Sequence, residues 1–180
     1  MTSFRVITIS AAIPLLAILS TPVGAGMATA KMCKMIDSSL DDAREQIPTK
    51  VGAATTMHAL EATMERQADY CTLYARHTVD TQAAAGQLLK AAHRGGQTEA
   101  TLDHAYQEMG TDRYRQAMVR LMREQVAANP LTERIRSIPG GLRKSIVMEF
   151  VYEYDPSQKV SVEPIILRLT PTDLEGFGAQ

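Results

Sequence analysis

Ser145-Ile146-Val147-Met148-Glu149-Phe150-Val151-Tyr152-Glu153-Tyr154, followed by Asp155-Pro156-Ser157-Gln158 and a second apolar run that ends at Leu169, is the stretch that decides the fold. In the first arm Ile146, Met148, Phe150, Tyr152 and Tyr154 fall on one face and Val147, Glu149, Val151 and Glu153 on the other. That is the period of two of a pleated strand. In the return arm Val160, Val162, Pro164 and Ile166 alternate with Ser161, Glu163 and Ile165. Pro164 has no N–H to give to a ladder, which places this arm at a sheet edge. Val160, Val162 and Ile166 on that edge are a candidate docking surface. A lone hairpin is marginal in water, so the rest of the chain has to supply its neighbours.

Upstream, Thr56, His58, Leu60, Ala62 and Met64 alternate, as do Cys71, Leu73, Ala75, His77 and Val79 across the polar bend Glu65 to Asp69. This predicts a second hairpin. A long helix is the alternative, because Met57, Leu60, Met64, Cys71 and Tyr74 also fit helical spacing and Ala59 to Ala68 is good helix-forming sequence. Pro48, Gly52 and the Thr and Tyr content favour the hairpin.

Helix dominates elsewhere. Lys31 to Glu45 carries Met32, Met35, Ile36, Leu40 and Ala43 at three- and four-residue spacings, opposite Asp37, Asp41 and Asp42, and Pro48 ends it. Thr81 to His93 is stopped by Gly95-Gly96, and Thr98 or Thr101 opens a helix running to Gly110. Thr111 or Asp112 caps a third with Tyr114, Met118, Leu121, Met122 and Val126 as its apolar stripe. A short turn of helix is expected from Leu131 to Ile138. The expected class is α+β: an antiparallel sheet of about four strands in two hairpins, covered on one face by amphipathic helices. A single domain spans residues 31–169, and residues 170–180 read as a flexible tail.

The 180 residues are 45% hydrophobic and 22% charged, with a net charge of −1. Such a balance argues against a nucleic acid or an anionic membrane surface as partner. At the N-terminus Arg5 precedes an apolar run from Val6 to Leu19, shorter than a bilayer span, and Val23-Gly24-Ala25 and Ala28-Thr29-Ala30 both put small residues at −3 and −1. This predicts a signal peptide within residues 1–30, cleaved after Ala25 or Ala30, no stable membrane insertion, and a periplasmic or secreted product. Cys33 follows Lys31 and Met32 rather than small residues, which disfavours lipidation. In an oxidising compartment the pair Cys33 and Cys71 predicts a disulfide. The competing use of Cys33 joins Met32 and Met35 as soft ligands for cuprous copper.

No set of residues forms a recognised catalytic motif. The four histidines, His58, His77, His93 and His104, lack zinc-helix spacing. His58 and His77 face each other if the hairpin forms, either as a small site with Glu61 or Glu65 or as polar side chains on a solvent face. Catalytic residues, metal ligands and cofactors are therefore predicted as none. Charge is distributed unevenly, with eight basic against three acidic residues from Asp112 to Lys144 and two basic against six acidic from Glu149 onward. Arg113, Arg120 and Arg123 share the outer face of the third helix and offer a basic surface for an acidic partner. The alternative is that the two halves neutralise each other within the fold.

Ile47-Pro48, the alternating Thr56 to Val79 region, the run Asn129-Pro130-Leu131 through Pro139-Gly140-Gly141, and Phe150-Val151-Tyr152-Glu153-Tyr154-Asp155 together resemble small exported bacterial proteins of the pilotin-like type. The resemblance spans most of the chain beyond the leader. It implies one antiparallel sheet covered by helices and a non-enzymatic, partner-binding role in secretion or envelope assembly. Several such proteins carry a lipid anchor and a second cysteine near the Asn-Pro segment, and this chain has neither. The expected function is a periplasmic module that binds another envelope or exported protein. The alternatives are an immunity or inhibitor protein against a wall-degrading toxin, and a small periplasmic hydrolase or metal-handling protein built on His58, His77 or the Met32-Cys33-Met35 cluster.

Overall fold

The computed structural model describes residues 25–65, 69–128, 130–138, 143–155 and 160–176. The chain runs through α1 (Ala25–Ser38), α2 (Asp41–Arg44), β1 (Thr49–Lys50), β2 (Thr55–Met64) and β3 (Cys71–Val79). It continues through α3 (Thr81–Arg94), α4 (Leu102–Met109), α5 (Asp112–Ala127), α6 (Pro130–Ser137), β4 (Ile146–Tyr154), β5 (Ile165–Leu169) and α7 (Pro171–Gly176). The strands form one five-stranded sheet in the order β1-β2-β3-β4-β5. The α+β class is as expected, with one strand more than the four counted from sequence.

The two hairpins exist and join side by side, but not as an all-antiparallel sheet. β2 and β3 are antiparallel, as are β4 and β5, whereas β3 and β4 run parallel from Cys71↔Ile146 to Val79↔Tyr154. A parallel neighbour needs a crossover, and α3 to α6 provide it. Each hairpin's own alternation is indifferent to the direction of the next, so no local pattern distinguishes the two sheets.

The register puts Cys71, Leu73, Ala75, His77 and Val79 on the same face as Ile146, Met148, Phe150, Tyr152 and Tyr154, and as Ile165, Leu167 and Leu169. Helices cover this face. The disulfide Cys33–Cys71 fastens α1 to the start of β3, and Tyr114 of α5 meets Tyr154 of β4 with the hydroxyls 3.1 Å apart. Met109, Met122, Ile146, Met148 and Leu169 are among the most deeply buried side chains. In the chain-entropy picture the bridge, closing a loop of 38 residues, stabilises by about 4 kcal/mol.

The return arm differs from expectation. β5 begins only at Ile165, and its buried set is Ile165, Leu167 and Leu169. Residues 161–164 have no regular structure, and Val160 and Val162 are half-buried against the core rather than on the edge. Pro164 marks the boundary, since no strand pairing passes through a residue lacking an N–H there. The turn residues 156–159, Asn129, and Pro139-Gly140-Gly141 lie outside the described residues.

Helix boundaries follow side-chain caps. Asp80 accepts from the Ala83 N–H at 2.9 Å, Thr101 from His104 at 3.2 Å and Thr111 from Tyr114 at 3.2 Å. Gly96, at φ +89°, takes the left-handed conformation after α3. The expected single helix from Lys31 to Glu45 is broken between α1 and α2. There the Ser39 hydroxyl donates to the Ile36 carbonyl at 2.6 Å and competes with the helical ladder. The expected flexible tail is helical over α7: the Asp173 carboxylate accepts from the Thr170 N–H at 2.9 Å and hydroxyl at 2.7 Å. This is a reciprocal cap of the Thr-x-x-acid kind. Among the described residues no helix is long and apolar enough to cross a membrane.

Candidate functional site

β1 covers β2 at only two positions, Thr49↔Met57 and Lys50↔Thr56. From Ala59 to Met64 the outer edge of β2 has no strand beside it among the described residues. Two side chains from the α1–α2 corner occupy that edge. Arg44 Nε donates to the Leu60 carbonyl at 2.8 Å, and the Ala62 N–H donates to Asp37 Oδ1 at 2.9 Å. Arg44 also pairs with Asp37 itself and, at 2.9 Å, with Asp41. A donor and an acceptor thus stand where a neighbouring strand's N–H and C=O would be. Burial works against the ionised Asp37, but the Ala62 N–H and the Arg44 guanidinium outweigh it and hold the carboxyl below its ordinary value.

Between this corner and the strand lies an open groove of about 390 Å³. One wall is His58, Ala59, Leu60, Glu61, Ala62 and Thr63 of β2, and the other is Asp37, Arg44 and Ile47. Six consecutive strand residues span roughly 20 Å. The groove continues the line of β1, from which the chain departs at Ile47-Pro48. Asp37 and Glu61 are its acidic lining, and the exposed Asp41 pairs with Arg44 beside it.

The histidines do not form the anticipated pair. His58 is the extra residue where the β2–β3 register shifts, and it is exposed at the groove. His77 is 5% exposed on the helix-covered face, its ring stacked on Tyr152 at 4.4 Å and 6°. Its Nδ1 has no hydrogen-bond partner. Burial drives its pKa down to about 4, so the ring is neutral at ordinary pH. The alternation Cys71, Leu73, Ala75, His77, Val79 already placed it with the apolar set. Burial likewise pushes Tyr152 up to about 12 and raises Tyr154 and Tyr114, making these phenols hydrogen-bonding and packing groups rather than acids.

The predicted basic surface is divided. Arg113 is exposed and paired with Glu108 at 2.8 Å, and Arg120 is exposed without an ion pair among the described residues. Arg123 turns instead toward α7, 3.3 Å from Asp173. Arg115 pairs with Glu163 at 2.6 Å. Two arginines of the basic segment therefore neutralise acids of the C-terminal one. Of the predicted edge residues, Ile166 alone is strongly exposed, at 61%. It shares the sheet's other face with Arg168, which donates to Glu65 at 2.6 Å and Glu149 at 2.8 Å. Cys33 is bridged and so is no copper thiolate, and no three His, Cys, Asp or Glu among the described residues stand together as a metal site.

Asp37 and Arg44 were not singled out in the sequence. Asp37 reads there as one more acid on the polar side of a helix, and nothing local signals its contact with Ala62.

The chain matches no family model, no curated protein and no solved structure.

Proposed function

We propose that this chain is an exported, periplasmic, non-enzymatic module that binds another envelope or exported protein, in the manner of a pilotin-like secretion or envelope-assembly accessory. One observation carries this reading: a long strand whose edge is left to two side chains, with a groove beside it. Edges of this kind are where extended segments add to sheets. The disulfide supports an oxidising compartment. In this reading the leader is removed after Ala25 rather than Ala30, because Thr29 is only 2% exposed within α1. Cleavage after Ala30 would discard that buried residue.

The test is affinity capture by the processed, disulfide-intact protein from envelope extract of its own cells, with bound proteins identified by mass. A single stoichiometric partner supports the reading. An empty capture by a folded bait sinks it. The intact mass of the exported protein separately decides between Gly26 and Lys31 as the first residue.

A further inference from the structure

The groove beside β2 has a shape, a register and a charge that together restrict what it takes. Its long wall is six consecutive residues of one strand, and it lies in line with β1. A chain lying there would continue β1, antiparallel to β2. The Leu60 carbonyl and the Ala62 N–H face that space and are bonded by side chains rather than by backbone. Because Asp37 and Arg44 are both about a third exposed and also bonded to each other, they can release the edge without either charge losing its partner.

We infer that this groove receives an extended basic segment of a partner protein, about six residues long, which adds to the sheet in line with β1 and displaces Asp37 and Arg44 from the Leu60 and Ala62 backbone. The inference rests on the partner-binding reading above and names the partner's chemistry. Main-chain hydrogen bonds to β2 supply the register. Lysine or arginine side chains, projecting at alternate positions to one face, meet Glu61 of the groove wall. Among the described residues Arg44 is the one arginine or lysine in the groove wall, and while it bonds Leu60 it both fills the edge and offsets the acids. The Asp37–Arg44 pair is thus a clasp that an incoming strand opens.

The probe is a synthetic peptide alternating lysine with threonine, titrated into the ¹⁵N-labelled processed protein with its disulfide intact. Binding with shifts concentrated at the amides of residues 58–63 and at the Arg44 Nε–H is expected. N-methylating the peptide's edge-facing amides should abolish it, while N-methylating the opposite amides should not. An alternating glutamate-threonine peptide should not bind. Arg44→Ala should tighten binding about fivefold, the factor associated with one exposed charged contact, and Glu61→Lys should weaken it by a similar factor. The proposal is overturned by no binding, by shifts at residues 165–169 instead, by equal binding of both N-methylated forms, or by weaker binding to Arg44→Ala. A partner captured from extract that leaves residues 58–63 unshifted would overturn this inference while sparing the binding role.

Discussion

Replacing His77 with Phe isolates the one buried histidine and tests what its burial does to stability. In the unfolded chain a histidine takes up a proton near pH 6.5, whereas the folded His77 resists protonation down to about 4. Between those values the unfolded state binds the proton first, so stability falls as pH falls. Above pH about 7 both states are neutral and nothing is lost. At 1.36 kcal/mol per pKa unit the full loss approaches about 3 kcal/mol below pH 4, and about 2 kcal/mol of it falls between pH 7 and pH 5. Against a typical domain stability of roughly 5–15 kcal/mol this is a large share. Asp37, Glu65 and Asp173 are held below their ordinary carboxyl values. Their contributions are present above about pH 4 and are lost as pH falls further, so they leave the window from pH 7 to 5 nearly untouched. Phe keeps an aromatic ring against Tyr152, 4.4 Å away in the native pair, and carries no proton site. The assay is urea unfolding by circular dichroism at pH 7, 6 and 5, with the disulfide intact. With a urea slope of about 2 kcal/mol/M, the wild-type midpoint should fall by about 1 M from His77 alone, and His77→Phe should lose that component. A variant whose midpoint falls as far as the wild type's would refute the reasoning.

Four further outcomes follow from the packing. Cys33→Ser with Cys71→Ser should lower stability by about 4 kcal/mol, read as a fall in thermal midpoint that reductant reproduces in the wild type and not in the variant. Tyr114→Phe leaves the Tyr154 hydroxyl without its 3.1 Å partner and should cost about 1–3 kcal/mol, while the double change to Phe at both positions should cost less than the sum of the two single changes in a double-mutant cycle. Met122→Ala, at a site 2% exposed, should cost about 2–5 kcal/mol in urea unfolding. Arg113→Glu with Arg120→Glu should leave the melting temperature within about 2 °C of wild type, since both side chains are exposed; if the outer face of α5 steers an acidic partner, association should slow at low salt.

Much of this fold was legible before any coordinates. The face of β4 carrying Ile146, Met148, Phe150, Tyr152 and Tyr154 is the face predicted, because alternation is written residue by residue along a strand. The caps Asp80, Thr101 and Thr111 sit at or beside the predicted starts, because a cap acts on backbone only two or three residues away. The pairing of Cys33 with Cys71 followed from their being the chain's two cysteines. The return arm was misplaced because two apolar alternations overlap there, and Pro164 decides between them only once β4 fixes the register at Tyr152↔Ile165.

The sequence by itself determined the alternation of β3 and β4 and which of their sides is apolar, the caps that open α3, α4 and α5, and that two sulfurs join. The tertiary structure alone decided that β3 and β4 run parallel, that His77 is buried and stacked on Tyr152, that Arg123 is drawn to Asp173, and that Asp37 and Arg44 close the edge of β2. The division has one physical cause. Propensity, alternation and capping are short-range energies set by neighbours in the chain. Strand direction, burial of one polar ring and the satisfaction of an edge depend on groups brought together only when the helices fold back across the sheet.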